Sequence, residues 1–226
     1  MARIASTKNR ADESASGDLK RGGTCNVTSR YRWAKRTMDV VLATTGLLVL
    51  FPAIAAIAAM VKLWSPGPVL FRQQRVGLGG RPFTILKFRS MMVGASGPSI
   101  TTGTDARVTP VGRILRRTKL DELPQLWNVL VGDMSIVGPR PELERYVRLF
   151  PDAYARILTV RPGLTDFAAI EYRDEEAELG GSPDAEATYV QVVLPAKIAL
   201  YHRYLDEMSI GTDFALVLRT LAALLR

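Results

Sequence analysis

Val40-Val41-Leu42-Ala43-Thr44-Thr45-Gly46-Leu47-Leu48-Val49-Leu50-Phe51-Pro52-Ala53-Ile54-Ala55-Ala56-Ile57-Ala58-Ala59-Met60-Val61 is an uncharged run of 22 residues, long enough as a helix to reach across a bilayer. A cleaved signal peptide is excluded by position and length: too much chain precedes it, and the apolar core exceeds the usual stretch of about 7–15 residues. Pro52 stands near the middle of the run, where it removes a helical hydrogen bond and bends the backbone. Positive charge flanks both ends, with Arg32, Lys35 and Arg36 before the run and Lys62, Arg72, Arg75 and Arg81 after it. A plain spanning helix puts only one of these flanks on the cytoplasmic side, where positive charge is favoured. A segment that enters, breaks at Pro52 and leaves by the same face satisfies both flanks, so a re-entrant helix–break–helix is favoured over a full span.

Residues 1–30 are rich in Ser, Thr, Gly, Lys and Arg and nearly free of large apolar side chains, which predicts a disordered basic tail. The division expected is a tail over 1–30, a membrane hairpin over 31–64 and a domain on the cytoplasmic face over 65–226. Lys and Arg outnumber Asp and Glu by 30 to 22, a net charge of +8 that suits anionic partners. One cysteine and one histidine, Cys25 and His202, exclude a disulfide, a multi-cysteine metal site and a histidine cluster. Any chemistry must then run on carboxylates, hydroxyls and cations, and His202 reads as a packing or surface residue.

Beyond the turn cluster Ser65-Pro66-Gly67-Pro68, the segments Val69–Gly77 and Phe83–Met91 alternate as strands around a glycine-rich turn, giving a β-hairpin with a cationic edge. A Gly, Ser, Thr and Pro-rich loop follows over 92–110. The stretch Arg116-Arg117-Thr118-Lys119-Leu120-Asp121-Glu122-Leu123-Pro124-Gln125-Leu126-Trp127-Asn128 then sets two adjacent carboxylates beside three cations at the head of a predicted helix. One carboxylate can attack phosphorus or hold a metal while cations neutralise phosphate oxygens. The plainer reading makes Asp121 a helix cap with Pro124 in the first turn. In Gly138-Pro139-Arg140-Pro141 two prolines stiffen the turn around Arg140, which suits bidentate phosphate contact, although a surface arginine in such a turn is equally ordinary. Arg161–Asp166 reads as a second fixed turn, and 171–186 as an acidic loop or short helix. The last helix, from Thr212, carries a broad apolar face that is either core or membrane-interfacial. The fold class is therefore α+β and mainly helical, with short interfacial amphipathic helices and the small hairpin.

From Tyr31 to Arg226 the chain resembles the bacterial sugar transferases, the monotopic phosphoglycosyl transferases. The resemblance rests on Lys35-Arg36-Thr37-Met38-Asp39, Phe71–Gly77, Lys87–Met91, Leu115–Gln125, Gly132–Pro141 and Arg161–Thr165 occurring in that order. It implies an enzyme of the bacterial inner membrane, on the cytoplasmic face, that transfers a sugar 1-phosphate from a UDP-sugar to polyprenyl (undecaprenyl) phosphate. UMP would leave, in the first membrane step of glycoconjugate or exopolysaccharide synthesis. Carried over by motif, Asp121 is the nucleophile, Glu122 its partner in the dyad, and both hold Mg²⁺. Arg116, Arg117, Arg140, Lys87 and Arg89 are the phosphate contacts, and Pro52 is the membrane break. The partners implied are the donor, the acceptor and the lipid membrane, with a homodimer allowed and no nucleic acid. Asp166-Phe167-Ala168-Ala169 stands where many relatives have Gly-Trp-Ala-Gln, which places the chain in a different branch and leaves the sugar open. The long N-terminal membrane region of larger relatives is missing, so the chain is expected to be the minimal catalytic form. The rival readings are a non-catalytic membrane-anchored scaffold of a polysaccharide assembly complex, and an ordinary glycosyltransferase that would release UDP.

Overall fold

The computed structural model describes residues 29–95, 97, 100–101 and 105–224. The basic tail therefore lies outside the described residues, except that Ser29 and Arg30 open the first helix. That helix, α1 (Ser29–Val49), passes through Leu50 into α2 (Phe51–Trp64), and the two are bent by 62°. Pro52 sits in the first turn of α2, where its missing N–H is no loss, so the break falls just before the proline. Among the described residues no single helix is long and apolar enough to cross a membrane.

The expected hairpin is present: β1 (Leu70–Val76) pairs antiparallel with β2 (Pro82–Phe88), with Gln73 opposite Ile85. The outer edge of β2 is closed by a side chain. Asn128 Oδ1 accepts from Leu86 N at 3.0 Å and Asn128 Nδ2 donates to Thr84 O at 2.8 Å, standing in for a third strand. The helix expected over the Asp-Glu stretch divides. α3 (Pro110–Arg117) ends in a left-handed Lys119 (φ 58°), a 3₁₀ turn spans Leu120–Glu122, and α4 (Gln125–Val131) begins after Pro124. Asp121 makes no cap to α4.

The residues leading into the Gly138–Pro141 turn, and the middle of the turn expected over Arg161–Asp166, are strands. β3 (Ser135–Val137) pairs parallel with β4 (Gly163–Thr165), joined by α5 (Glu144–Val147) and α6 (Pro151–Ile157). Pro151 starts α6 rather than interrupting a helix. The acidic segment folds as short helices, α7 (Phe167–Glu171), α8 (Glu175–Leu179) and α9 (Ala185–Thr188). A π-helical turn over Tyr189–Val193 leads without a break into α10 (Leu194–Glu207), so Pro195 occupies a first turn. α11 (Ile210–Leu224) closes the described chain, burying Asp213 and Leu216 while Phe214, Leu218 and Leu221 stand more than half exposed.

The main core gathers Ala43 of α1, Val129, Met134, Tyr154, Leu194, Tyr201 and Leu216. A smaller cluster of Ile57, Val61, Phe88, Val111 and Leu115 joins α2 to β2 and α3. Buried polar bonds fasten α1 to this body. Asp39 Oδ1 accepts from Ser135 Oγ at 3.0 Å and Ile136 N at 2.9 Å, and Asp213 accepts from Lys35, Tyr31 and Tyr204 at 2.8, 2.9 and 2.8 Å. Arg36 donates to the carbonyls of Val129 and Leu130 at 2.6 and 2.8 Å, satisfying acceptors at the end of α4. Two of the cations expected to flank the membrane run are thus committed to tertiary bonds.

α3 docks on the end of β2 through a glycine. A Cβ on Gly112 would lie 1.9 Å from the backbone oxygen of Ser90, and Thr109 N donates to that same oxygen at 3.0 Å. Gly112→Ala must push α3 off β2. We expect a loss of about 1–3 kcal/mol in urea or thermal melts, the usual cost of overpacking. Gly211→Ala, whose Cβ would meet nothing nearer than Ser209 Oγ at 3.8 Å, should leave the melt within about 1 kcal/mol of wild type.

Candidate active site

The 3₁₀ turn that follows Lys119 delivers two adjacent carboxylates with opposite surroundings. A non-glycine residue in the left-handed region costs on the order of 1 kcal/mol or more, and Lys119 is the single such residue among those described. Glu122 is bound on both oxygens: Lys87 Nζ donates to Oε1 at 2.8 Å, Arg140 Nη2 makes a short bond to the same oxygen, and Arg140 Nη1 reaches Oε2 at 3.1 Å. Burial pushes the Glu122 carboxyl up, but Arg140 and Lys87 together outweigh it and hold the group well below the usual carboxylate range. Asp121, 5% exposed, has an Oδ1 with no hydrogen-bond partner among the described residues. Its carboxyl is raised, by burial first and by the Glu122 charge, against the pull of Lys87 and Arg116. One carboxylate is fixed; the other keeps free lone pairs.

Lys87 and Arg140 reach Glu122 from separate elements. Lys87 projects from β2, and burial lowers its ammonium from the usual lysine range against the pull of Glu122. Arg140 is the centre of the Pro139-Arg140-Pro141 turn, which the strand pair braces from behind. A Cβ on Gly163 would lie 2.1 Å from Gly138 N, so both positions require glycine for this approach, and Gly138 N donates to Thr165 O at 3.0 Å. Asp166, fully buried, accepts from Arg140 N at 3.2 Å with one oxygen and caps α7 through Ala169 N at 2.6 Å with the other. Asp166 thus fixes the backbone of the arginine that fixes Glu122, a role its place beside a turn did not disclose.

The remaining expected phosphate contacts separate. Arg116 lies beside the dyad, but its guanidinium is engaged: Nε donates to Glu176 at 3.1 and 3.2 Å, Nη2 makes a short bond to the same carboxylate, and Nη1 reaches Ser90 Oγ at 3.2 Å. Arg117 is exposed at the end of α3. Arg89 does not face the dyad, which corrects its expected role. It is buried and donates to Pro66 O at 2.8 Å, to Ser65 O and Oγ at 2.7 Å each, and to Val61 O at 3.4 Å. It satisfies carbonyls that the end of α2 leaves without helical donors.

Among the described residues no three or more His, Cys, Asp and Glu side chains gather as a metal cluster. A divalent ion here would find one open protein ligand, Asp121, because both Glu122 oxygens are held by cations. Magnesium is commonly held by one or two carboxylates with substrate phosphates and water completing the shell, so the donor set fits a magnesium ion that binds together with a diphosphate.

The family model for bacterial sugar transferases matches residues 30–226. The chain is 43% identical over 197 residues to the UDP-glucose:undecaprenyl-phosphate glucose-1-phosphate transferase of Caulobacter vibrioides, covering 84% of this chain and 69% of that protein. It is 51% identical over 145 residues to the protein of the same description from Escherichia coli, covering 62% of this chain and 31% of that one. It is 33% identical over 209 residues to the exopolysaccharide production protein ExoY of Rhizobium meliloti, covering 84% of each.

The buried Asp166 carboxyl is raised to about 6, by burial first, against the pull of Ala169 N and Lys197. An acid raised from about 3.9 in the unfolded chain contributes most when protonated, and that contribution is lost as pH climbs through the window from about 4 to 6. The stability margin of wild type over Asp166→Asn should therefore be widest near pH 4. It should narrow by roughly 3 kcal/mol at most towards pH 7 in urea melts, since a shift of one pKa unit is about 1.4 kcal/mol. A margin flat with pH would contradict the assignment.

Proposed function

Because the chain belongs to the bacterial sugar transferases, we propose that it transfers a sugar 1-phosphate from a UDP-sugar to polyprenyl phosphate, with Asp121 as a covalent nucleophile. The observation that carries this is the unequal pair: Glu122 is saturated by two cations while Asp121 Oδ1 has no donor on it. An oxygen of Asp121 attacks the phosphorus that bears the sugar, the anhydride bond to the other phosphorus breaks, and UMP leaves with the bridging oxygen. An oxygen of polyprenyl phosphate then attacks the same phosphorus, breaking the aspartyl–phosphate bond and restoring the carboxylate. Two displacements at one carboxylate replace a single difficult transfer between two anions. Magnesium, when bound through Asp121 and the diphosphate, would neutralise charge on the phosphate oxygens. Lys87 and Arg140 hold Glu122 and present positive charge beside the phosphorus.

The bent pair α1–α2 is read as a re-entrant membrane segment, with both ends on the cytoplasmic face. Leu48, Val49, Phe51, Leu63 and Trp64 are exposed along it, and Phe214 and Leu218 stand out from α11, apolar surface of the kind that lies in or against lipid. In this reading the dyad works beside the headgroup layer, where the phosphate of a lipid-borne acceptor resides.

Purified protein with polyprenyl phosphate, magnesium and a panel of UDP-sugars should release UMP from at least one donor, and Asp121→Asn should lower that rate by at least about 10³-fold, as loss of a covalent nucleophile does. Release of UDP instead would convert the reading to an ordinary glycosyltransferase. Chelation should stop the wild-type reaction and added magnesium restore it. In a Cys25→Ser background, single cysteines at positions 32 and 62 should both react with a membrane-impermeant maleimide from the cytoplasmic side only. Labelling from opposite sides would mean a full span.

A further inference from the structure

One further cation whose charge acts on Asp121 is already holding an anion. Arg116, in the last turn of α3, grips the Glu176 carboxylate with Nε and Nη2, the side-by-side fork with which guanidinium groups bind phosphate. Its remaining arm rests on Ser90 Oγ at 3.2 Å, a hydroxyl at the end of β2 just beyond Lys87. Arg116 is close enough to favour the charged form of Asp121.

We propose that the Arg116 guanidinium and the Ser90 hydroxyl form an anion subsite for a phosphoryl group of the donor, which Glu176 occupies as an internal anion until the donor displaces it. This rests on the sugar-phosphate transfer reading above and adds to it a named subsite and its resting occupant.

The two carboxylates paired with cations around the dyad differ in how firmly they are held. Glu122 has two cationic partners and a side chain 12% exposed; Glu176 has the one guanidinium and is 37% exposed, open to competing water and ions. Its helix, α8, starts at Asp174 with no side-chain cap. The neighbouring Glu175 is separately tied to Lys197 Nζ at 2.8 Å, and that lysine is 5% exposed. Glu176 can therefore leave Arg116 while Glu175 keeps the start of α8 anchored. An incoming phosphoryl group offers Arg116 an acceptor of the same geometry and greater charge.

The test is calorimetric titration of the full chain in lipid nanodiscs with inorganic pyrophosphate at fixed ionic strength. Glu176→Gln should tighten pyrophosphate binding about two- to fivefold, the scale of a part-exposed ion pair. That gain should vanish in the Glu176→Gln, Arg116→Gln double variant. In wild type, pyrophosphate should speed amide hydrogen exchange across 175–179. Unchanged or weaker binding by Glu176→Gln, or a gain that persists without Arg116, would overturn the subsite. Should Glu176→Gln melt early, the wild-type exchange experiment decides alone: faster exchange supports the proposal and unchanged exchange refutes it. UMP release tests the underlying reading separately. A pyrophosphate effect with no UMP from any donor would sink the transfer reading and leave the subsite standing, and UMP release without the pyrophosphate effect would do the reverse.

Discussion

Everything at the site depends on one buried carboxylate with two cations on it. Placing Glu122 between Lys87 and Arg140 removes three charges from water, a cost recovered only when geometry is close and every polar atom is matched. The matching forces the architecture. Lys87 must come from a strand whose free edge is closed, which Asn128 does, and Arg140 must stand on a turn that cannot yield. The stiffness of that turn comes from the Gly138–Gly163 approach and from Asp166 as well as from its two prolines. Once Glu122 has taken both cations, Asp121 is left beside it with an oxygen that no donor claims.

The same strand pair also ties the site to the bent helix pair. Asp39 of α1 accepts from Ser135 and Ile136 of β3, and the Pro-Arg-Pro turn leaves the end of that same strand. Lys35 and Tyr31, further back on α1, meet Asp213 of α11. A segment anchored so closely to the scaffold of Arg140 cannot move relative to the dyad without breaking buried polar bonds. At the other end of the hairpin, Arg89, just past the end of β2, binds the last carbonyls of α2 while Lys87, two residues earlier and within β2, binds Glu122. Both ends of the bent pair are thereby referenced to the dyad.

Much of this was legible in the sequence, and the parts that were not share a cause. The break at Pro52 and the two strands of the hairpin followed from local rules, because a proline in an apolar run and alternation around glycines act on their own neighbours. The β3–β4 pair did not, since Ser135–Val137 and Gly163–Thr165 are too short to show a period and are defined by each other. The cations divided in the same way. Arg89 and Arg36 look like Arg116 in sequence, yet their acceptors are backbone carbonyls released by helix ends, a partner no residue pattern encodes. Glu176 stands 60 residues from Arg116, inside a stretch that reads in sequence only as an acidic loop or short helix.

The charge of the resting site follows from these pairings. Asp121 and Glu122 are balanced by Lys87 and Arg140, and Glu176 balances Arg116, so a chain with an excess of eight positive charges presents a nearly neutral set of groups at its dyad. A diphosphate approaching Asp121 would then meet little net attraction, and a carboxylate attacking an anion needs charge supplied at that moment. Beside Lys119, whose charge already acts on Asp121, two further sources fit the geometry: a divalent ion that binds with the donor through Asp121, and the charge of Arg116, uncovered when Glu176 gives way. Both are tied to arrival of the donor. The nucleophile would then be paired with its full positive field only when there is phosphorus to attack, and a buried aspartate that is otherwise raised and unpartnered would be activated by the substrate it acts on.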